Sequence, residues 1–123
     1  MNGIVISMSD IERSIETAYQ DAVTALQDFL TCGDALQRTK EGISLIYRSL
    51  LDGGKIIVCR NGGSACDTMH FCEELTGLFR DDRKPLPAIA LTDPANLTAV
   101  GNDYGFTEVF SRGVQAHGKK MMC

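Results

Sequence analysis

A histidine and a carboxylate four residues apart, His70 and Glu74, follow a glycine turn in the run Asn61-Gly62-Gly63-Ser64-Ala65-Cys66-Asp67-Thr68-Met69-His70-Phe71-Cys72-Glu73-Glu74-Leu75-Thr76-Gly77. On a helix that spacing puts both side chains on one face, able to hold one metal ion or act on one substrate. Glycine lets the backbone approach a ligand closely, and the free N–H groups of a helix's first turn attract anions or polar oxygens. Each feature also has a plainer reading. A histidine on a half-apolar helix is commonly a satisfied core residue. A glutamate beside another is commonly solvated, and Asn-Gly-Gly serves well as a simple strand-to-helix turn. Cys66 and Cys72 share the helix, but six residues apart they fall on different faces, which argues against paired thiolate ligands.

The flanking elements must position these groups. Lys55-Ile56-Ile57-Val58-Cys59 lacks polar alternation after the lysine and reads as a strand buried on both faces. Pro85 and Pro87 punctuate a loop before a second short strand, Ala88-Ile89-Ala90-Leu91. Thr92-Asp93-Pro94 then forms a turn, followed by a short helix over 95–100, a break at Gly101-Asn102-Asp103-Tyr104-Gly105, and a helix from about 106 to 117. Strand, glycine turn, helix, strand, helix is the order of a parallel α/β sheet. In such sheets ligands sit beyond the carboxyl ends of the strands, where the 61–64, 92–93 and 102–103 segments are expected.

Two helices precede this part. Ser9 and Glu12 form a capping box opening a helix over about 10–31, striped by Ile11, Ile15, Ala18, Ala22, Leu26 and Phe29. Gly33 breaks it. Asp34 caps a second helix striped by Leu36, Ile43, Ile46, Tyr47 and Leu50, which Gly53-Gly54 ends. Both stripes read as core or subunit-packing surface. The organisation expected is a helical arm over 1–52 and an α/β part over 53–123.

Composition narrows the class. A chain of 123 residues with 44% hydrophobic and 23% charged residues is ordinary for one globular domain. Its formal net charge of −4 argues against a nucleic-acid binder driven by a basic surface. The densest basic group, Arg80, Arg83 and Lys84, is interleaved with Asp81 and Asp82 and reads as a solvated loop. No apolar run approaches the ~20 residues of a membrane span. Five cysteines (Cys32, Cys59, Cys66, Cys72 and Cys123) without a CxxC pair or a signal peptide fit free thiols in a reducing cytoplasm.

From Gly53 to about Gly118 the chain resembles the sugar isomerase (SIS) domain and, within it, the phosphoheptose isomerases. The resemblance is carried by Gly-Gly-Lys-Ile, Asn-Gly-Gly-Ser, Cys-Asp-x-Met-His-Phe-x-Glu-Glu-Leu-Thr-Gly, Pro-Ala-Ile-Ala, Val-Gly-Asn-Asp-Tyr-Gly-Phe and Phe-Ser-Arg, in the family's order and spacing. It implies a three-layer α/β/α sandwich with a parallel sheet, assembled as a homotetramer in the cytoplasm. The implied reaction converts sedoheptulose 7-phosphate to D-glycero-D-manno-heptose 7-phosphate for lipopolysaccharide heptose. Carried over residue by residue, Asn61, Gly62 and Gly63 are the substrate-binding loop and Asn102 and Asp103 further substrate contacts. His70 and Glu74 are zinc ligands, with Glu74 also touching substrate and serving as the base. Sugar phosphate is the implied partner, with neither nucleic acid nor membrane.

The alternative within the same fold is a non-catalytic SIS adaptor binding the bacterial replication initiator. Those relatives lack the glutamate four residues after the histidine, so Glu74 favours the isomerase. A SIS sugar-phosphate sensor would need a basic helix-turn-helix segment, which this sequence lacks.

Departures from the family pattern shape a further expectation. Arg60 stands where a glycine is frequent, and Leu78 where related isomerases carry an arginine. The family continues into a Ser-Thr-Ser-Gly-Asn-Ser phosphate loop and a later helix with a glutamine and a histidine, and neither is in this sequence. Two zinc ligands remain where catalytic sites typically use three plus an open position. The expectation is a truncated isomerase with little or no activity of its own, poorly covered apolar faces and limited solubility. Shifting the codons GAT GAT GTn of an Asp-Asp-Val sequence by one base gives Met-Met followed by a codon that can be cysteine, so Met121-Met122-Cys123 reads as a frameshift scar.

Overall fold

A computed structural model describes residues 7–118. The expected scar, Met121-Met122-Cys123, lies outside the described residues, as does Cys123 as a thiol. Contacts divide the chain into two compact units, meeting between Ser44 and Leu45.

The first unit contains helix α1, Met8–Thr31, and the start of helix α2, Ala35–Leu51. The N-cap of α1 is Ser7 rather than Ser9: its side chain accepts the Asp10 N–H at 3.2 Å and donates to the Asp10 carboxylate at 2.6 Å. Ser9 sits inside the first turn, its hydroxyl 2.9 Å from that of Ser7. Two candidate caps two residues apart look alike in sequence, and the one at the end of extended backbone takes the role. No residue of α1 or α2 is buried. Ile15, Leu26, Ile43 and Tyr47 are 51%, 67%, 61% and 61% exposed, so the two stripes are not a core of this chain.

The end of α2 follows the sequence closely. Gly53, at φ +72°, donates to the Leu50 carbonyl and Gly54 donates to the Ser49 carbonyl at 2.8 Å, the two bonds of a Schellman motif. A β-carbon on Gly54 would lie 2.6 Å from that carbonyl oxygen, so the tight stop requires glycine there.

Strand β1, Ile56–Val58, pairs in parallel with strand β2, Ala88–Ala90, with Ile56 opposite Ala88 and Val58 opposite Ala90. The parallel order expected from the sequence is present. β1 is only half-buried, not enclosed on both faces, because among the described residues the sheet has two strands. Helix α3, Gly63–Thr76, connects them and packs on β2. Its Thr68 and Cys72 are buried, the Thr68 hydroxyl being satisfied by the Ser64 carbonyl at 2.9 Å.

Helix α4 runs Pro94–Tyr104, capped by the Asp93 carboxylate on the Asn96 N–H at 2.6 Å and started by Pro94. It passes through the expected break at 101–104. Gly101 sits inside the helix, where an added β-carbon would lie 3.5 Å from Val109, an ordinary contact with one of the most buried side chains. The chain turns only at Gly105, φ +94°, into a 3-10 turn, Phe106–Glu108, and helix α5, Ser111–His117, in place of one helix over 106–117. Among the described residues of this unit the buried side chains are few: Thr68, Cys72, Val100 and Val109.

Candidate functional site

The turn between β1 and α3 is made by Gly62, whose φ of +56° is left-handed backbone that side-chain-bearing residues seldom adopt. It is the N-cap of α3 without a side-chain cap; its carbonyl accepts the Ala65 N–H at 3.1 Å, and no side chain caps the N–H groups before it. A β-carbon at Gly62 or Gly63 would meet nothing within 4 Å, so the chain leaves open space over the turn.

Down the helix, residues 65, 68, 72 and 75 face the sheet and the core, and the opposite side carries the chemistry. His70 is 72% exposed by side chain and Glu74 30%, and the His70 Nε2 lies 2.9 Å from Glu74 Oε1. An exposed pair at this spacing contributes only about 0.3–0.5 kcal/mol to the helix. Glu73 joins them: one donor atom from each of His70, Glu73 and Glu74 lies within 4.8 Å of the others. The donor set, one imidazole nitrogen and carboxylate oxygens, fits a divalent ion of the zinc class. Cys66 is exposed and Cys72 buried, on different faces of the helix as their spacing demands, and neither joins the cluster. Burial pushes the Cys72 thiol up from its ordinary value. The other described cysteines, Cys32 and Cys59, are also free.

Arg83 holds the far end of α3. Its guanidinium donates to the carbonyls of Leu75 at 2.9 Å and Glu74 at 2.5 Å, and to Lys84 at 3.2 Å. The Leu86 N–H adds a second bond to Leu75 O. These carbonyls are the negative end of the helix and have no partners within it. The solvated loop expected around Arg80–Lys84 is therefore an anchor at Arg83. Nothing in local composition signals this, since the contact spans eight and nine residues. Glu73 was equally hidden, though its place three residues after His70 is a helical neighbour spacing.

Asn102 and Asp103 lie in the last turn of α4, not beyond the end of a strand, and both are exposed. The Asn102 amide donates to the Asp103 carboxylate at 2.9 Å. Among the described residues no hydrogen bond joins either to the 61–63 turn, His70 or Glu74. An open cleft of about 550 Å³ runs along β2, α4 and α5, lined by Leu91, Asp93, Tyr104, Arg112 and His117 among others, and includes none of the candidate site residues.

No helix among the described residues is long and apolar enough to cross a membrane. Phosphoheptose isomerases from Cytophaga hutchinsonii and Glaesserella parasuis are 44% and 47% identical to this chain, each over 89% of it. The chain spans little more than half of these relatives, 58% and 57% of their lengths. Among solved structures, the phosphoheptose isomerase from Neisseria gonorrhoeae matches with a TM-score of 0.79 at 37% identity, over 89% of this chain and 55% of that one. The enzyme from Francisella tularensis gives 0.76 and 36%, over 87% of this chain and 56% of that one. The replication-initiator adaptor gains no support from these relatives. The family model of the SIS domain matches residues 18–122, across the parallel strands, the glycine turn and helix α3, and the chain belongs to the SIS domain family.

Proposed function

We propose that this chain provides the glycine turn and the acid–base helix of a phosphoheptose isomerase site. The reaction is conversion of sedoheptulose 7-phosphate to D-glycero-D-manno-heptose 7-phosphate, a cytoplasmic step toward lipopolysaccharide heptose, in a homotetramer. The observation that carries the reading is the His70–Glu74 pair at 2.9 Å, two turns into the helix that opens at Gly62-Gly63. Relatives of that activity, similar over most of this chain, support it.

Ketose–aldose isomerisation moves a proton between adjacent carbons through an enediol. Glu74 is the base: it is the less exposed of the pair, and Arg83 fixes the backbone that carries it. The turn at Asn61, Gly62 and Gly63 binds hydroxyl oxygens through its N–H groups, and Asn102 and Asp103 add polar contacts. His70 and Glu74 are the zinc ligands, and zinc, when bound, supplies polarisation of the sugar oxygens.

The test is conversion of sedoheptulose 7-phosphate by the full chain mixed with the remaining C-terminal portion of the Glaesserella parasuis relative. We expect conversion in the mixture, and a fall of about 10²–10⁴-fold for E74Q, the range of a general acid–base contribution. A mixture without activity, or an E74Q mixture as fast as wild type, would refute the assignment.

A further inference from the structure

The last carbonyls of a helix have no partner within it, and Glu74 sits among them, three residues before the Gly77 stop of α3. We infer that Arg83 is a positioning residue for the isomerisation, holding the main chain of Glu74 in one placement relative to the Gly62 turn. This rests on the base role proposed for Glu74 and adds a residue that acts through it.

The guanidinium forks across consecutive carbonyls, with Nη2 on Glu74 O at 2.5 Å and Nη1 on Leu75 O at 2.9 Å. Two bonds from one rigid plane fix direction as well as distance, which a lysine ammonium cannot do. Among the described residues the Glu74 carbonyl has no other hydrogen bond, whereas Leu75 O also accepts the Leu86 N–H at 2.9 Å. Losing Arg83 therefore frees the main chain at Glu74 first. The same guanidinium makes no bond to the Glu74 carboxylate, whose partner is His70. A paired guanidinium would hold that carboxylate in its charged form and weaken it as a base, so Arg83 places the group without neutralising it.

The other end of the linkage reaches the glycine turn. Arg83 stands on the connection to β2 and donates to its own neighbour, Lys84 O, at 3.2 Å. Three residues on from Lys84, the Pro87 carbonyl accepts the Ile56 N–H at 2.9 Å, where the pairing of β1 with β2 begins. From Ile56 the chain runs through β1 to Gly62. The substrate-binding turn and the base thus close one ring, in which Arg83 is the side-chain link.

Kinetics of the full chain mixed with the C-terminal portion of the Glaesserella parasuis relative test the inference, with R83K and R83M beside wild type and E74Q. Rates are taken per folded chain, from far-UV circular dichroism and urea unfolding of each variant. We expect kcat to fall at least about tenfold in R83K, since a misplacement of about 1 Å can cost 10²-fold. KM should stay within about twofold, because the glycine turn is untouched. R83M should lose as much or more. A merely structural arginine would lower the folded fraction and leave kcat per folded chain unchanged. That result in R83K overturns the inference, as does a loss carried by KM alone. Failure of the base reading looks different. E74Q as fast as wild type, or no conversion by wild type, removes the base role and the inference with it. A slow E74Q beside an R83K of wild-type kcat removes the positioning role alone.

Discussion

The two units of this chain hold themselves together in opposite ways. In α1 the 24 residues make only local bonds: the Ser7 cap, the Arg13–Asp10 pair at 2.9 Å, and the Thr24 and Thr31 hydroxyls bonded back to carbonyls one turn earlier. None of its side chains is buried, and helices resting on local terms alone are marginal in water. The α/β unit has shorter elements but connects residues far apart in sequence, through β1–β2 pairing, the packing of α3 on β2 and the Arg83 anchor. Periodicity in a sequence therefore identifies a face, while only the tertiary partners determine whether that face is a core.

The sharpest way to break this contrast is to put the same charge in both units. V109D buries a carboxylate at a site 3% exposed and should cost about 3 kcal/mol or more, abolishing the cooperative melt of the α/β unit. I15D, at a site 51% exposed, should shift thermal stability by no more than about 0.5 kcal/mol. If I15D proved as damaging as V109D, the stripe on α1 would be covered in solution by another molecule.

Arg83 comes next. R83M removes the charge-assisted bonds at the end of α3 and should cost about 1.5–3 kcal/mol in urea unfolding, with R83K recovering only part because lysine lacks the fork. Amide exchange should accelerate near residues 75–77 and stay unchanged in α1.

The smallest effect is set by Cys72. Its thiol is raised by burial, so between the ordinary thiol range near 8.5 and its raised value the unfolded state loses the proton first. Its contribution is full below the ordinary range and is lost as pH rises through the folded value. Urea midpoints from pH 7 to 10 should show this decline, diminished in C72A. Thiol reagents should modify the exposed Cys32 and Cys66 before Cys72.

The legible features were the consecutive ones. Strand, glycine turn and helix over 55–77 follow from residues adjacent in the chain, as does the stop at Gly53-Gly54, where backbone chemistry alone decides. Gly101 was misleading because a glycine carried inside a helix looks in sequence like one required for turning. The difference lies in the backbone: the chain turns at Gly105, at φ +94°. Arg83 and Glu73 were hidden for a related reason, since a charge run gives no sign of which member finds a partner. Of the candidate site, the His70–Glu74 spacing was readable, whereas the nearness of the Glu73 carboxylate to both needed coordinates.

The parallel pairing of β1 with β2 also bears on how the chain is made. Ile56 and Ala88 are partners 32 positions apart, with all of α3 between them. At about 5–20 residues per second, a ribosome needs roughly 2–6 s to synthesise the second strand after the first. Through that interval Ile56-Ile57-Val58 waits without its partner, while α1, built on local bonds, is free to form at once. The nascent chain is thus most vulnerable to misassociation in these seconds, and a holdase chaperone that shields residues 56–58 should raise the yield of soluble protein more than one acting on the finished chain.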